Sequence, residues 1–400
     1  MYRRQFLRAI VIGGSIPRLV AGGARGQQGA MTMAKAQYGV GILGNCCTHG
    51  AGLAGAFAGH PRTRLVTGYE PDLRRGPELG QAMGLPLAES YEAVVGHPEV
   101  DIVGVTTDPC DKAAMVEMAC RAGKHILLNK PMCESFDSAR RIEQTLRQSR
   151  VKCVFDISMV KGLAPYAKLR QEMAAGKYGR PIAYHHDFGM TFPPDFPIRD
   201  LWPERFDPPQ VSGGGEMTNM GCYAIDYMVT LLGSPRSVQA KRGSFWQEYA
   251  ESPAENFGQI ICDYGDFYAC LAVGKQKLTE PLQGVNDLSI RFHNTNLILN
   301  PYTDTCIVNG LSRPMAEYVG DTVPEGAIDQ LLRCIEQDAE PQDNVELGRM
   351  GVEVLMGAYK SIVKHGAVVK LPLKDGSNPL LRVGRAPAHD RDPSALRASG

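Results

Sequence analysis

The chain has no excess of either charge: 43 basic and 43 acidic residues cancel over 400 positions. No block of like charge stands out, which argues against nucleic acid and against an anionic membrane surface as partners. There is no apolar run near the ~20 residues that a membrane-spanning helix needs. There is no internal repeat, and no Cys-x-x-Cys spacing among the eleven cysteines. Their number is odd, and Cys120, Cys262 and Cys270 sit in apolar patterns, so they read as core residues rather than a disulfide framework. What remains is length enough for two domains, with 44 glycines and 27 prolines scattered as in a loop-rich globular enzyme.

The first residues, Met1-Tyr2-Arg3-Arg4-Gln5-Phe6-Leu7, lead into a small and apolar run from Ala9 to Gly14. This is the pattern of a twin-arginine export signal, with Ala24-Arg25-Gly26 as a small-residue cleavage site. Pro17 and Arg18 interrupt the run. The expectation is a signal over residues 1–30 and a periplasmic protein exported already folded; the alternative is a cytoplasmic enzyme starting at Met31 or Met33.

From residue 38 onward strands alternate with helices. Strands are expected at 38–44, Arg64 to Tyr69, Asp101 to Thr106, His125 to Leu128 and Lys152 to Phe155. Helices are expected at 50–59, Ala113 to Ala122 and Asp137 to Gln148. That alternation implies βαβ units and a doubly wound parallel sheet over residues 36–156. After about residue 180 the helices thin out. Ile182 to Phe188, Ser237 to Trp246, Phe257 to Asp263, Phe267 to Val273, Leu288 to Phe292, Asn296 to Leu299 and Cys306 to Val308 predict a mainly antiparallel sheet. Helices at Ala327 to Gln337 and Val345 to Lys364 complete a second domain over 157–375, and 376–400 is expected to be a loose tail.

A strand–turn–helix opening is the natural seat of a pyrophosphate, because helix N-termini offer free N–H groups and glycines let the backbone come close. Gly39-x-Gly41-x-x-Gly44 has the right spelling but lies within the strand. The better-placed turn runs from Gly44 through Asn45, Cys46, Cys47, Thr48 and His49 to Gly50, with Cys46 and His49 where the second and third glycines belong. Glu70 ends the second strand, where a carboxylate can accept hydrogen bonds from the adenosine ribose and favour NAD. Arg74 and Arg75 follow and could instead hold a 2′-phosphate, so NADP stays open. Thr106 and Thr107, after the third strand, complete the expected cofactor contacts. Cys46, Cys47 and His49 could also be read as metal ligands, but no second group has zinc-like spacing, and no metal is expected. Of His185 and His186, which alternate on a strand, only one can point inward, and a structural role is expected for it.

Lys130, in Asn129-Lys130-Pro131 at a strand end, and Tyr223, in the segment led by Gly213-Gly214-Gly215, suit proton transfer at a hydroxyl. An ammonium beside a tyrosine favours the phenolate and makes it a better base. Glu216, Asn219, Tyr223 and Asp226 are spaced to share one helix face. The pattern alone fits equally an amphipathic helix whose polar face meets water.

With these motifs the chain resembles the glucose–fructose oxidoreductase / inositol dehydrogenase / rhizopine-catabolism (Gfo/Idh/MocA) family over about residues 38–373. The resemblance rests on Asp101-Ile102-Val103, Ala122-Gly123-Lys124-His125, Asn129-Lys130-Pro131, Gly179-Arg180-Pro181, Gly213-Gly214-Gly215 and Leu371-Pro372-Leu373 taken together. It implies an α/β fold: an N-terminal Rossmann doubly wound sheet plus a C-terminal α+β domain with a largely antiparallel, open-faced sheet, through which a homo-oligomer forms. It places Lys130 at the nicotinamide. It puts Asn129 where the family has a glutamate, Asn219 and Tyr223 where it has an aspartate and a histidine or tyrosine, and Lys112 where a histidine is common.

The expected activity is NAD(P)-dependent hydride transfer at a hydroxyl-bearing carbon of a sugar, cyclitol or related polyol. Lys130 and Tyr223 do the acid–base work, and Asn219 lies beside them. A redox-neutral, NAD-dependent glycoside cleavage and a non-catalytic nucleotide- or sugar-binding protein are the alternatives. Specificity is expected to lie on the loop from Thr191 to Gln210.

Overall fold

Short runs rich in Val, Ile and Leu, each followed by a helical pattern, build strands that are buried on both faces. The computed structural model of the chain describes residues 35–382, apart from 85–86, 251, 253 and 280–283. The expected export signal and residues 383–400 of the expected tail lie outside the described residues.

Five strands, β1 (Tyr38–Leu43), β2 (Thr63–Tyr69), β3 (Ile102–Val105), β4 (His125–Asn129) and β5 (Cys153–Asp156), form one sheet in the order β2-β1-β3-β4-β5. Every pairing is parallel. All six residues of β1 are buried, as a central strand covered on both sides requires. The connecting helices are α1 (His49–Gly59), α2 (Gly76–Met83), α3 (Tyr91–Gly96), α4 (Lys112–Arg121) and α5 (Phe136–Arg147). Ser135 caps α5, its hydroxyl accepting from the Ser138 N–H at 3.2 Å. Chain order reverses between β1 and β3, so a crevice opens beyond their carboxyl ends, where such sheets take ligands.

The second sheet has nine strands: β6 (Pro181–Phe192), β7 (Ser237–Gly243), β8 (Phe257–Asp263), β9 (Tyr268–Lys277), β10 (Val285–Phe292), β11 (Asn296–Leu299), β12 (Thr305–Val308), β13 (Leu311–Pro314) and β14 (Val369–Lys370). Their order is β13-β12-β11-β10-β6-β9-β8-β7-β14. The pairings are antiparallel except β6 with β9, which is parallel. The helices of this half are α6 (Ala164–Ala174), α7 (Gly221–Leu232), α8 (Ala327–Gln337) and α9 (Val345–Val363). One face of the sheet is covered by α7, against β6 and β9, and by α9, against β7. The opposite face carries a rung of paired residues running Gln239, Ile261, Cys270, His185, Ser289, Ile298 and Ile307 across seven strands. Ile261, Ile298 and Ile307 are exposed there. Open-faced, mainly antiparallel architecture is thus present as expected.

Some boundaries differ. The strand expected to reach Trp246 stops at Gly243, and Gln247–Ala250 forms a helical turn instead. The short strands β13 and β14 had no signal, because β13 is exposed along its whole length and β14 spans only two residues. Among the described residues no helix is long and apolar enough to cross a membrane. All eleven cysteines are free. His186 is buried and held by Asn286 Oδ1 at 2.9 Å, a structural role, while His185 faces out.

Candidate functional site

The turn after β1 is built by close approach. Gly44 takes φ 88°, and a Cβ there would lie 2.6 Å from the Thr107 backbone; one on Gly50 would lie 2.2 Å from the Gly44 carbonyl. Cys46–Thr48 is a single tight turn, and α1 starts at His49. The phosphate-type turn is therefore Gly44 to Gly50, and Gly39 and Gly41 belong to the strand.

Its side chains divide into scaffold and lining. Asn45 is fully buried, its Oδ1 accepting the Ala51 N–H at 2.9 Å and its Nδ2 donating to the Arg75 carbonyl at 3.1 Å. Asn45 and Gly44, both expected to contact the cofactor, use these polar groups in holding the turn together. Thr48, left-handed at φ 65°, does not line the crevice either. Cys46, Cys47 and His49 do, facing Thr106 and Thr107 across it. Thr106 is tied down, its hydroxyl donating to the Gly44 carbonyl at 2.6 Å. The buried Thr107 hydroxyl has no partner and is available to a ligand. Burial pushes His49 well below the ordinary imidazole range, with Lys130 and Arg205 adding to the effect, so the ring is neutral.

Glu70 corrects an expectation. Its carboxylate accepts the Asn45 N–H at 2.6 Å, the Asp72 N–H at 2.9 Å and an Arg75 N–H at 3.0 Å. It is buried and braces the turn from behind rather than standing free for a ribose. Arg75 is also gripped by Asp108 at 2.8 and 2.9 Å. Arg74 points to solvent on Asp72, at 2.7 Å, and does not line the crevice as expected. Both arginines are therefore already neutralised.

Farther along the crevice stands Lys130, 4% exposed. Its Nζ donates to Asn219 Oδ1 at 2.6 Å and lies over the Tyr223 ring, 5.0 Å from the centroid. The two parts of the chain thus bring Lys130, Asn219 and Tyr223 together as expected. The helix carrying them is broken at Met220, into Glu216–Asn219 and α7, and its polar residues do not meet water. Asp226 leaves the group and pairs with Lys161 at 2.5 Å. Glu216, wholly buried, accepts from Asn219 Nδ2 at 2.7 Å, Tyr249 Oη at 2.5 Å and Lys275 Nζ at 3.0 Å.

The electrostatics follow from that packing. Burial lowers Lys130 to about 7, reinforced by the Arg205 charge. Glu216 is held below the usual carboxylate range: burial opposes this, but Lys275 and Arg205 outweigh it. Tyr223 departs from the expected phenolate. Burial drives it well above 10, and the ammonium meets its ring face. Tyr223 is itself buried, 6% exposed, directly behind the lysine. Asn129, at the end of β4, carries a buried Oδ1 without a partner.

Three side chains of the candidate site had little or no signal in the sequence. Lys112 was marked only by its alignment with a histidine; it is buried and donates to the carbonyls of Asn129 and Pro131 at 2.5 and 2.6 Å, pinning the loop on both sides of Lys130. Arg205 lines the crevice with an unpartnered Nε. Glu204 accepts the Cys47 N–H at 2.5 Å. Both lie on the 191–210 loop, whose shape no periodicity reveals.

Residues 38–156 match the model of an oxidoreductase family with an NAD-binding Rossmann fold, and residues 166–277 match the GFO/IDH/MocA C-terminal domain. A D-xylose dehydrogenase of Paenarthrobacter nicotinovorans is 31% identical over 155 residues, 38% of each chain. A 1,5-anhydro-D-fructose reductase of Ensifer adhaerens is 31% identical over 125 residues, 31% of this chain and 36% of the relative. The matched region spans less than half the length of either relative. The WlbA dehydrogenase of Bordetella pertussis, solved with NADH and UDP-GlcNAcA, superposes with a TM-score of 0.71 at 16% identity, covering 86% of this chain and all of that one, which shows a shared fold.

Proposed function

The chain belongs to the GFO/IDH/MocA oxidoreductase family, and from that premise we propose that it transfers hydride between NAD and a hydroxyl-bearing carbon of a sugar, cyclitol or related polyol. The observation that carries this reading is the buried group Lys130–Asn219–Tyr223, of which Lys130 and Asn219 line the same crevice as Cys46, Cys47 and His49 of the turn. A dinucleotide in that crevice would have its pyrophosphate on the turn and its nicotinamide at the lysine.

The Cys47 N–H, once Glu204 releases it, the free Thr107 hydroxyl and Arg205 would hold the pyrophosphate. The cofactor supplies the hydride acceptor or donor. Asn219, its amide fixed by Glu216, holds the Lys130 ammonium in place. Lys130, at about 7, takes up the net proton when an alcohol is oxidised and returns it when a carbonyl is reduced. Tyr223 remains a phenol and gives its hydrogen bond to the substrate oxygen, stabilising the charge that grows there. This revises the division of labour expected from the sequence, with the lysine rather than the tyrosine as the group that changes charge.

NAD is favoured over NADP because the adenosine end is ringed by Glu70, Asp72 and Asp108, and its two arginines are spent on them. A 2′-phosphate there would meet carboxylates without a free cation. The periplasmic location and an oligomer formed through the open sheet face complete the proposal; the latter is supported by exposed Ile261, Ile298 and Ile307 on that face.

Native mass spectrometry of the purified chain tests the cofactor. NAD or NADH is expected to co-purify. A panel of aldoses, cyclitols and polyols, followed by NADH absorbance, tests the reaction. No cofactor bound and no turnover across that panel would overturn the proposal.

A further inference from the structure

The proposed cofactor contact uses the Cys47 N–H and leaves the thiols of Cys46 and Cys47 without a task. Adjacent side chains normally diverge. Here Cys47 sits in the left-handed region, at φ 50° and ψ 37°, and the two Sγ atoms come within 3.7 Å of each other. A carboxylate from a remote loop joins them: Glu204 Oε1 accepts the Cys47 N–H at 2.5 Å. The two sulfurs and a Glu204 oxygen all lie within 4.8 Å of one another. Among the described residues no other group of three His, Cys, Asp or Glu side chains is so disposed.

The sulfur separation has a chemical meaning. Two thiolates at ~2.3 Å on a tetrahedral zinc ion stand roughly 3.8 Å apart, and a carboxylate oxygen completes such a set at ~2.0–2.2 Å. We propose that Cys46 Sγ, Cys47 Sγ and Glu204 form a site for a soft divalent cation of the zinc type, with its fourth position open to the crevice. Both thiols lose their protons on binding, so two protons leave for each ion taken up and nothing is oxidised or reduced. Two thiolates and one carboxylate around a 2+ ion leave one net negative charge. The Arg205 guanidinium, whose Nε has no partner among the described residues, lines the same crevice and would balance it.

The ion would sit on the turn assigned to the pyrophosphate. The site's consequence, which rests on that assignment, is that metal and NAD exclude one another.

The test is a titration of the cofactor-free, full-length, reduced protein with Co2+, which reports thiolate ligation by charge-transfer absorption. One equivalent is expected to give the band, Zn2+ to abolish it, and two protons to be released per ion. Cys47→Ser should remove the band, and Glu204→Gln should weaken binding at least tenfold, both with unchanged far-ultraviolet circular dichroism. Should Cys47→Ser fail to fold, Cys46→Ser and Glu204→Gln give the same readout. Absence of the band, or a band that survives both cysteine variants, overturns the site. Added NAD should raise the apparent Kd for Co2+ in proportion to its concentration. Metal affinity indifferent to NAD that demonstrably binds overturns the exclusion. Failure of NAD to bind at all overturns the cofactor reading and leaves the metal titration as an independent result.

Discussion

Glu216 and Lys130 meet through a single amide: Glu216 Oε2 accepts from Asn219 Nδ2 at 2.7 Å, and Asn219 Oδ1 accepts from Lys130 Nζ at 2.6 Å. The carboxylate fixes which way the amide points, and the amide then fixes the ammonium.

Glu216→Gln keeps the shape but removes the charge. The Lys130 ammonium then loses a negative neighbour, so its inflection in the pH–rate profile is expected to move to lower pH. Glu216→Ala leaves the buried Lys275 uncompensated and should cost about 3–5 kcal/mol of stability, measured by urea denaturation. A Glu216→Gln profile superposable on the parent's would show that the carboxylate does not act through Asn219.

Lys130 itself sets a pH rule. Alcohol oxidation needs its neutral form, so the single-turnover rate should rise with pH through about 7; carbonyl reduction needs the ammonium and should fall through the same point. Lys130→Met is expected to slow both directions by a factor on the order of 10² to 10⁴ and to erase the inflection. Arg205→Met removes a repelling charge and should raise the inflection while weakening NAD.

Tyr223→Phe deletes only the phenolic oxygen. NAD affinity should be unchanged, and stopped-flow hydride transfer should slow by a factor on the order of 10². A wild-type rate would reduce Tyr223 to a ring that packs under the ammonium.

Cofactor choice is read from two dissociation constants. NAD should bind more tightly than NADP. Glu70→Ala leaves the Asn45 N–H without its acceptor while Asp108 still holds Arg75, so NAD should weaken, and with one carboxylate fewer beside a 2′-phosphate the preference should narrow. Tighter binding of NADP by the parent protein would make Arg74 and Arg75 phosphate ligands after all.

Export is tested apart from chemistry. Arg3→Lys together with Arg4→Lys should hold the protein in the cytoplasm, scored by fractionation. Wild-type protein found there alone would move the start to Met31 or Met33.

The parallel sheet was legible because its strands are continuous apolar runs with helical patterns between them, and because period and length agree. The pairing of Lys130 with Asn219 and Tyr223 was legible as motif, since strand ends and glycine-led helices have fixed places in such folds. What sequence could not reveal is direction. Glu70 ends β2 where a ribose ligand belongs, yet turns inward because the Asn45 N–H and Arg75 compete for it. Tyr223 lies beside a lysine, yet whether a cation meets an oxygen or a ring face depends on rotamers that spacing does not encode. Arg205 and Glu204 were beyond reach for another reason: they sit in a loop without periodicity, and Glu204 reaches back to Cys47, 157 positions away.

The Cys47 N–H is already taken. Glu204 occupies it with a carboxylate oxygen, at the place proposed for a phosphate oxygen of NAD. If that proposal holds, docking is an exchange of one acceptor for another rather than the filling of a vacancy. Exchange has a kinetic signature. Association should be two-step, with an observed rate that levels off at high NAD as release of the carboxylate becomes limiting. Glu204→Gln should lift that ceiling, making the loop a gate whose speed is set by one side chain.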